Sequence, residues 1–324
     1  MMKTVTYPWL VKITRRLEDM VRAHQFPHAI LIAGQEGLGQ QALISGLSQL
    51  LLCLSPQNNK ACGACRACHL FVQGYHPDYR HLGENQVNIS IDDVREVIGF
   101  LSQASHQGGN RVIVIAAGNL NVPCANALLK ILEEPPENSF FILEASHPSA
   151  VIATVRSRCV VIDLPVPAHT QALSWLQQQC PNESLSDLTW RLRVCGGMPL
   201  KAEQMKQEIL AKSQDFLEDI LCSENLSSFY SADVQRWLLA DPKEALYLLY
   251  YYVTELILYL ATGTTVFTNK HKEQLGRLAQ LPLSGLLVFL ETVLSGIQAL
   301  RQSGVNKQLL FESLFYQWHA LRNK

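Results

Sequence analysis

Residues 28–41 read HAILIAGQEGLGQQ, a short apolar run that ends in a glycine-rich loop. The segment 38–52 that follows carries apolar residues at helical spacing, Leu43, Leu47, Leu50 and Leu51. Strand, glycine loop and helix in this order form the unit whose backbone N–H groups cradle phosphate, so the pattern points to a parallel α/β sheet. The loop itself, GQEGLGQQ at 34–41, keeps the spacing of the phosphate-binding pattern GxxxxGK followed by Ser or Thr. Gly34 and Gly39 occupy the glycine positions, with Gly37 between them. Gln40 stands where the lysine belongs and Gln41 where the hydroxyl belongs. A neutral amide cannot offset the charge that develops on a transferring phosphoryl group. On its own the loop is also compatible with an ordinary strand–helix turn, and its N–H groups and helix dipole could still hold an anion.

A hydrolysing site of this kind also needs an acidic residue at the end of a central strand to help hold Mg²⁺. The run RVIVIA at 111–116 reads as that strand, but it leads into Ala117, Gly118 and Asn119 without a carboxylate. One loss would leave a variant mechanism open. Two losses at separate places argue against self-hydrolysis.

Elsewhere in the first half, 87–89 reads as a short strand. Ser90 with Asp93 resembles a capping box opening a helix that buries Val94, Val97, Ile98 and Leu101. Pro123 starts a helix that runs to Glu134 and is stopped by Pro135-Pro136. Strands follow at 140–144 and 159–164. Strands alternating with helices imply a parallel sheet covered on both faces. After Leu164 the strand signal vanishes. PVPAH at 165–169 reads as a linker, helical patterns cover 169–179, 184–194 and 199–222, and everything from about 208 onward reads as helix. The map is an α/β domain, a small helical domain and a helical bundle.

Cys53, Cys62, Cys65 and Cys68 are spaced C-x8-C-x2-C-x2-C. Four thiolates this close suit a closed, tetrahedral, structural Zn²⁺ site. An iron–sulfur cluster is the runner-up, although the ferredoxin-like run would continue with a further C-x3-C-P that is missing here. A redox dithiol is third, because C-x-x-C occurs twice. Cys124, Cys159, Cys180, Cys195 and Cys222 are scattered and read as small core residues. The nine cysteines are an odd number in a chain whose opening, MMKTVTYPWLVKITRR, has no apolar signal region. That favours a reducing cytoplasm and metal ligation over disulfides. At 324 residues and 48% apolar content the chain can fill two to three packed domains. Its formal net charge of −1 supplies no global field toward nucleic acid, and only Lys60 and Arg66 are basic within 53–68. The greasiest stretch, 245–265, is interrupted by Glu255 and reads as a buried helix rather than a membrane span.

Several pieces together resemble one family: NALLKILEEPPENSFFIL at 126–143, the tripeptide Ser157-Arg158-Cys159, the four-cysteine insert, HPD at 76–78 and the opening YPWL at 7–10. They are similar to the clamp-loader branch of the AAA+ family, and within it to the delta-prime subunits of bacterial DNA polymerase III, densest over 7–165. The resemblance implies a RecA-like α/β domain with a zinc knuckle (1–166, knuckle 53–68), a small helical lid domain (167–208) and an all-α collar domain (209–324). It implies a rigid stator that does not hydrolyse ATP and is no enzyme by itself, inside a polymerase holoenzyme. Arg158 would be the arginine finger supplied in trans to a neighbour's ATP, with Arg156 as its nearest competitor. A surface pairing of Arg158 with Glu133 or Glu134 is the plain alternative. Implied partners are the gamma/tau and delta subunits, with the sliding clamp and primer–template DNA reached as part of the complex. No bound nucleotide is expected at Gly34, Gly37, Gly39, Gln40 and Gln41. Gly196-Gly197-Met198-Pro199 puts a proline near the place of a second sensing arginine, and Ala145 or Ser146 stands where active members carry a polar sensor. Glu133-Glu134 reads as structural or interfacial, since adjacent helical residues point in different directions. Two other readings stand beside this one: an ATPase with an unorthodox loop, and a zinc-dependent DNA-binding module acting alone.

Overall fold

The computed structural model of the chain describes residues 7–84, 88–103, 105–107, 109–205, 238, 242–263, 278, 280–300 and 304–322. The chain divides into two compact units, Met1–Gln171 and Ala172–Lys324. In the first, α1 (Val11–Arg22) precedes β1 (Ala29–Ala33), α2 (Gln40–Leu52), α3 (Arg66–Val72), β2 (Tyr79–Leu82) and α4 (Ile91–Leu101). Then come β3 (Arg111–Ala116), α5 (Val122–Glu133), β4 (Ser139–Ala145), α6 (Ala153–Arg156) and β5 (Val160–Asp163). The strands form one sheet in the order β2-β3-β4-β1-β5, and every pair is parallel.

β1 and β3 are buried along their whole length, as central strands with helices on both faces must be. Leu31, Ile113, Phe141 and Leu143 of the sheet belong to one core with Val94 and Val97 of α4 and Leu128 and Leu132 of α5. Each such side chain contributes about 1.5–3 kcal/mol on burial. The register sets Glu144 beside both Ile32 and Ala116, so the C-terminal ends of β1, β4 and β3 lie side by side. Ligands of open parallel sheets bind at this edge, where the strand order reverses.

Local chemistry fixes the helix starts. Ser90 Oγ accepts from Asp93 N–H at 3.2 Å while Asp93 Oδ2 accepts from Ser90 N–H at 2.8 Å, a reciprocal cap that holds the Asp93 carboxyl below its ordinary range. Asn121 Oδ1 caps α5 through Cys124 N–H at 2.9 Å, with Pro123 in the first turn. The short strand expected at 87–89 is not formed at Asn88 and Ile89, and Val87 lies outside the described residues. The slot beside β3 is filled by β2 instead, with Tyr79 opposite Val112 and Leu82 opposite Ile115. An edge strand needs only partial burial, so YRHL pairs without an apolar pattern.

From α7 (His169–Gln179) onward every described element is a helix: α8 (Leu185–Val194), α9 (Pro199–Gln204), α10 (Pro242–Thr262), α11 (Leu283–Ala299) and α12 (Lys307–Arg322). Residues 206–222 of the expected third helical stretch, Cys222, and 209–237 of the expected collar lie outside the described residues. Arg191 is fully buried, yet its guanidinium is satisfied by Glu183 and by the carbonyls of Ala202 and Glu203, which ties α8 to the end of α9. Residues 245–262 of α10 are long and apolar enough to cross a membrane by length and composition alone. The helix buries Leu246, Leu249, Val253 and Leu256 in the second unit's core, and its buried Glu255 pairs with Arg193 of α8. A paired carboxylate inside a packed helix face is the pattern of a protein core.

Candidate functional site

The glycine loop leaves β1 at its C-terminal end and enters α2 at Gln40. Gly37 (φ +92°) and Gly39 (φ +87°) hold the left-handed backbone that glycine adopts without strain. Gly39 has a second reason to lack a side chain, since a Cβ there would lie 2.3 Å from the Tyr7 ring. Tyr7 stacks on Trp9, and Trp9 Nε1 donates to the Leu38 carbonyl at 2.8 Å, so aromatic side chains brace the crest of the loop.

The two glutamines in the lysine and hydroxyl positions are both engaged. Gln40 Nε2 donates to the carbonyls of Ile32 (2.7 Å) and Ala145 (3.1 Å), bridging the ends of β1 and β4. Gln41 Nε2 donates to Glu144 Oε2 at 2.7 Å, and Glu144 Oε1 shares a hydrogen bond with His81 Nε2 at 3.2 Å. His81 Nδ1 in turn faces Glu84 at 3.7 Å. The end of β3 turns through a 3-10 helix, Ala117–Asn119, with no acid. Glu144 of β4 brings a carboxylate to this edge, against Gln41. Sequence reasoning passed over it, although an acid inside the otherwise apolar run FFILEA was a signal. Of the two sensor candidates, Ala145 is buried and its carbonyl also takes Gly34 N–H at 2.9 Å, while Ser146 is exposed.

Ser157, Arg158 and Cys159 lie between α6 and β5. Arg158 Nε donates to Glu133 Oε1 at 2.8 Å, Nη2 reaches the same oxygen, and Nη1 donates to the Thr154 carbonyl at 2.7 Å. The arginine side chain remains 31% exposed and Glu133 is 51% exposed, so this is a surface pair. Arg156 is held by the Pro148 carbonyl at 3.1 Å. Ser157 Oγ donates to Thr154 O at 3.0 Å, and the half-buried Cys159 thiol, pushed up to about 11 by burial, faces Val155 O at 3.4 Å. β5 begins opposite Ile30, at the N-terminal end of β1, whereas the loop begins after Ala33. The arginine segment and the glycine loop therefore sit at opposite ends of the sheet, roughly 13 Å apart by strand rise. The fold does not bring Arg158 to its own chain's loop.

The four cysteines converge. Their Sγ atoms all lie within 4.8 Å of one another, with Cys53–Cys62 at 3.6 Å and Cys53–Cys65 and Cys62–Cys68 at 4.0 Å. A tetrahedral ion with Zn–S bonds near 2.3 Å places its sulfurs about 3.8 Å apart, so the spacing fits one ion and is too tight to frame a multi-iron cluster. Backbone N–H groups of Cys62, Cys65 and Cys68 donate to Cys53, Cys62 and Cys65 Sγ at 3.3, 3.3 and 3.4 Å. Such donors favour the charged thiolate. Ser55 Oγ and backbone donors pull the Cys62 thiol down to about 6, whereas burial pushes Cys53 and Cys68 up. Burial also opposes ionisation of Cys65, but the Cys68 N–H and further hydrogen bonds bring its thiol down. Cys65 caps α3, so the knuckle is built between the end of α2 and the start of α3. Of the scattered cysteines, Cys124 and Cys195 are buried while Cys159 and Cys180 are half-buried.

The HPD tripeptide is an anchor. The buried Asp78 carboxylate accepts from His106 N–H (2.8 Å) and Gln107 N–H (2.9 Å), fixing the loop that leads into β3. His76 is buried, its Nδ1 accepts from Asp78 N–H at 3.1 Å, and its Nε2 has no hydrogen-bond partner among the described residues.

Residues 10–168 match the family model described as DNA polymerase III, delta subunit. The chain is 36% identical over 217 residues to DNA polymerase III subunit delta' of Haemophilus influenzae, covering 66% of each. It is 40% identical over 196 residues to the Escherichia coli protein of the same name, covering 60% of this chain and 58% of that one. The matches thus span two thirds or less of these relatives' own length. A gamma subunit-related protein of Thermotoga maritima aligns with 94% of this chain and 99% of its own at 17% identity and a TM-score of 0.46, a likeness too loose to carry an argument.

Proposed function

This chain is a relative of the delta-prime subunits of bacterial DNA polymerase III, and from that premise we propose that it is a non-hydrolysing stator of a clamp loader. The observation that carries the reading is the separation of the two polar centres. Gln40 and Gln41 bind the chain's own carbonyls and Glu144 at one end of the sheet, and Arg158 stands half-exposed at the other. An arginine that cannot serve its own loop is free to serve a neighbour's nucleotide. Arg158 is the arginine finger in this reading, presented by Ser157 and Cys159. To act, it leaves Glu133, and an exposed ion pair of this kind costs only about 0–1 kcal/mol to break. A planar, always-charged fork supplied in trans is worth roughly 10³–10⁵ in rate, about 4–7 kcal/mol at the transition state. The gain outweighs the release.

In the same reading Cys53, Cys62, Cys65 and Cys68 hold one structural Zn²⁺, with no open position for chemistry. The first unit is an AAA+ RecA-like domain, 167–208 a lid, and 209–324 a collar that joins the gamma/tau and delta subunits. The assembly opens a sliding clamp and places it on primed DNA in the cytoplasm. Purified chain tests the proposal in two steps. Alone it should release no phosphate from ATP, and mixed with gamma/tau and delta subunits it should enter one complex on gel filtration. Turnover by the lone chain that Gln40→Ala abolishes would replace the stator with an ATPase. Tight, steeply salt-dependent DNA binding by the lone chain would replace it with a DNA-binding module.

A further inference from the structure

Among the described residues the sheet stops at β5, and no strand pairs with its outer edge. Leu164 N–H donates to the Ala33 carbonyl at 2.7 Å, so by the alternation of a parallel strand the N–H and C=O groups of Val161 and Asp163 point away from β1. Among the described residues nothing bonds to them. Proteins blunt such edges with charge, proline or a covering element. Here Val160 and Val161 stay 47% and 42% exposed. Beside the edge, α1 presents Ile13, Arg16, Leu17 and Met20, the spacing of one helix face. With Val160 and Val161 they line a groove of about 220 Å³. Arg16 and Lys12, one turn apart on the helix, carry no ion pair among the described residues. Asp163 is an acid on the lining, at the end of the strand near the start of α1.

We propose that β5 and α1 form a docking edge for an extended, acidic peptide of a partner protein. The peptide main chain pairs with Val161 and Asp163 as a sixth strand, its apolar side chains enter the groove over Met20 and Val161, and a carboxylate meets Arg16 and Lys12. Main-chain pairing supplies affinity, and the groove and charge supply selectivity, as in other strand-addition sites. The inference does not depend on the clamp-loader reading, because its test uses the chain alone.

The probe is a short fluorescein-labelled peptide of alternating valine and glutamate, followed by anisotropy against the full chain. It should bind saturably. Val161→Pro removes an N–H that the sheet does not use, so the fold survives and binding should weaken at least about tenfold. Arg16→Glu lies on the surface and should weaken the same probe, while a valine–lysine peptide gains what the acidic one loses. Absence of saturable binding, or variants that bind the acidic probe as the parent does, overturns the proposal. Displacement of the probe by oligothymidylate, with DNA binding untouched by Val161→Pro, also overturns it and assigns the basic face to nucleic acid.

Discussion

The two ends of the sheet treat their polar side chains in opposite ways. At the C-terminal end Gln40 uses its amide on the carbonyls of Ile32 and Ala145, and Gln41 closes onto Glu144 and through it His81. At the N-terminal end the Arg158 guanidinium rests on one exposed carboxylate and one carbonyl. The first arrangement bonds neutral amides to the strand ends, which ties the loop to the sheet. The second keeps a charge at the surface at little cost to the fold. The difference teaches that Gln40 and Gln41, in the lysine and hydroxyl positions of the loop pattern, are bound into the chain's own sheet, while Arg158 is held only by surface partners.

The largest expected effect strikes one side only. The knuckle grips the C-terminal end of α2, whose N-terminal end is the glycine loop. On the proposed zinc reading, Cys62→Ser should abolish Zn²⁺ binding and a large part of a binding free energy on the order of 10 kcal/mol. At roughly 2–4 °C per kcal/mol for a unit of this size, the melting midpoint should fall by well over about 5 °C. Metal analysis and calorimetry check both, and a full-stability variant without metal would remove the knuckle from the account.

Next, Gln40→Ala leaves strand-end carbonyls without their donor and should cost about 1–2 kcal/mol in urea unfolding. Arg158→Ala should cost less than about 1 kcal/mol. Equal losses would break the comparison.

A pH series probes the arginine end, where His76 and Asp78 fix the loop into β3. Burial holds His76 below its ordinary value despite the nearby Asp78 charge. The unfolded chain therefore takes up the proton first as pH falls. The stability involved is complete above about pH 6.5 and is lost as pH drops through the lower folded-state value. The melting midpoint should decline below that pH in the parent and less so in His76→Gln. The smallest effect is Glu133→Gln, which frees Arg158 and should shift stability by no more than about 1 kcal/mol.

Much of this was legible in the residues. Apolar runs announced β1, β3 and β4 because central parallel strands must be buried on both faces, and β5 carried the same signal although it is an edge strand left mostly exposed. The Ser90–Asp93 and Pro123 signals set α4 and α5 because caps act over one turn of chain. The cysteine spacing named four sulfurs that do converge. What stayed hidden depends on contacts distant in sequence. β2 is an edge strand without an apolar pattern. Gln40 and Gln41 read as losses, and their partners Ala145 and Glu144 lie 105 and 103 residues away. Arg158 was recognisable, but its partner Glu133 was one of two adjacent acids until the end of α5 chose between them.

The central claim is that Arg158 acts on another subunit's nucleotide while Gln40 acts on this chain's own sheet. The measurement that tests it most directly is DNA-stimulated ATP hydrolysis by the reconstituted complex carrying Arg158→Ala or Gln40→Ala. The account predicts that Arg158→Ala slows the abutting site roughly 10³-fold or more with assembly intact, and that Gln40→Ala leaves turnover within about twofold of the parent. Unchanged hydrolysis at every site with Arg158→Ala in a fully assembled complex would contradict it.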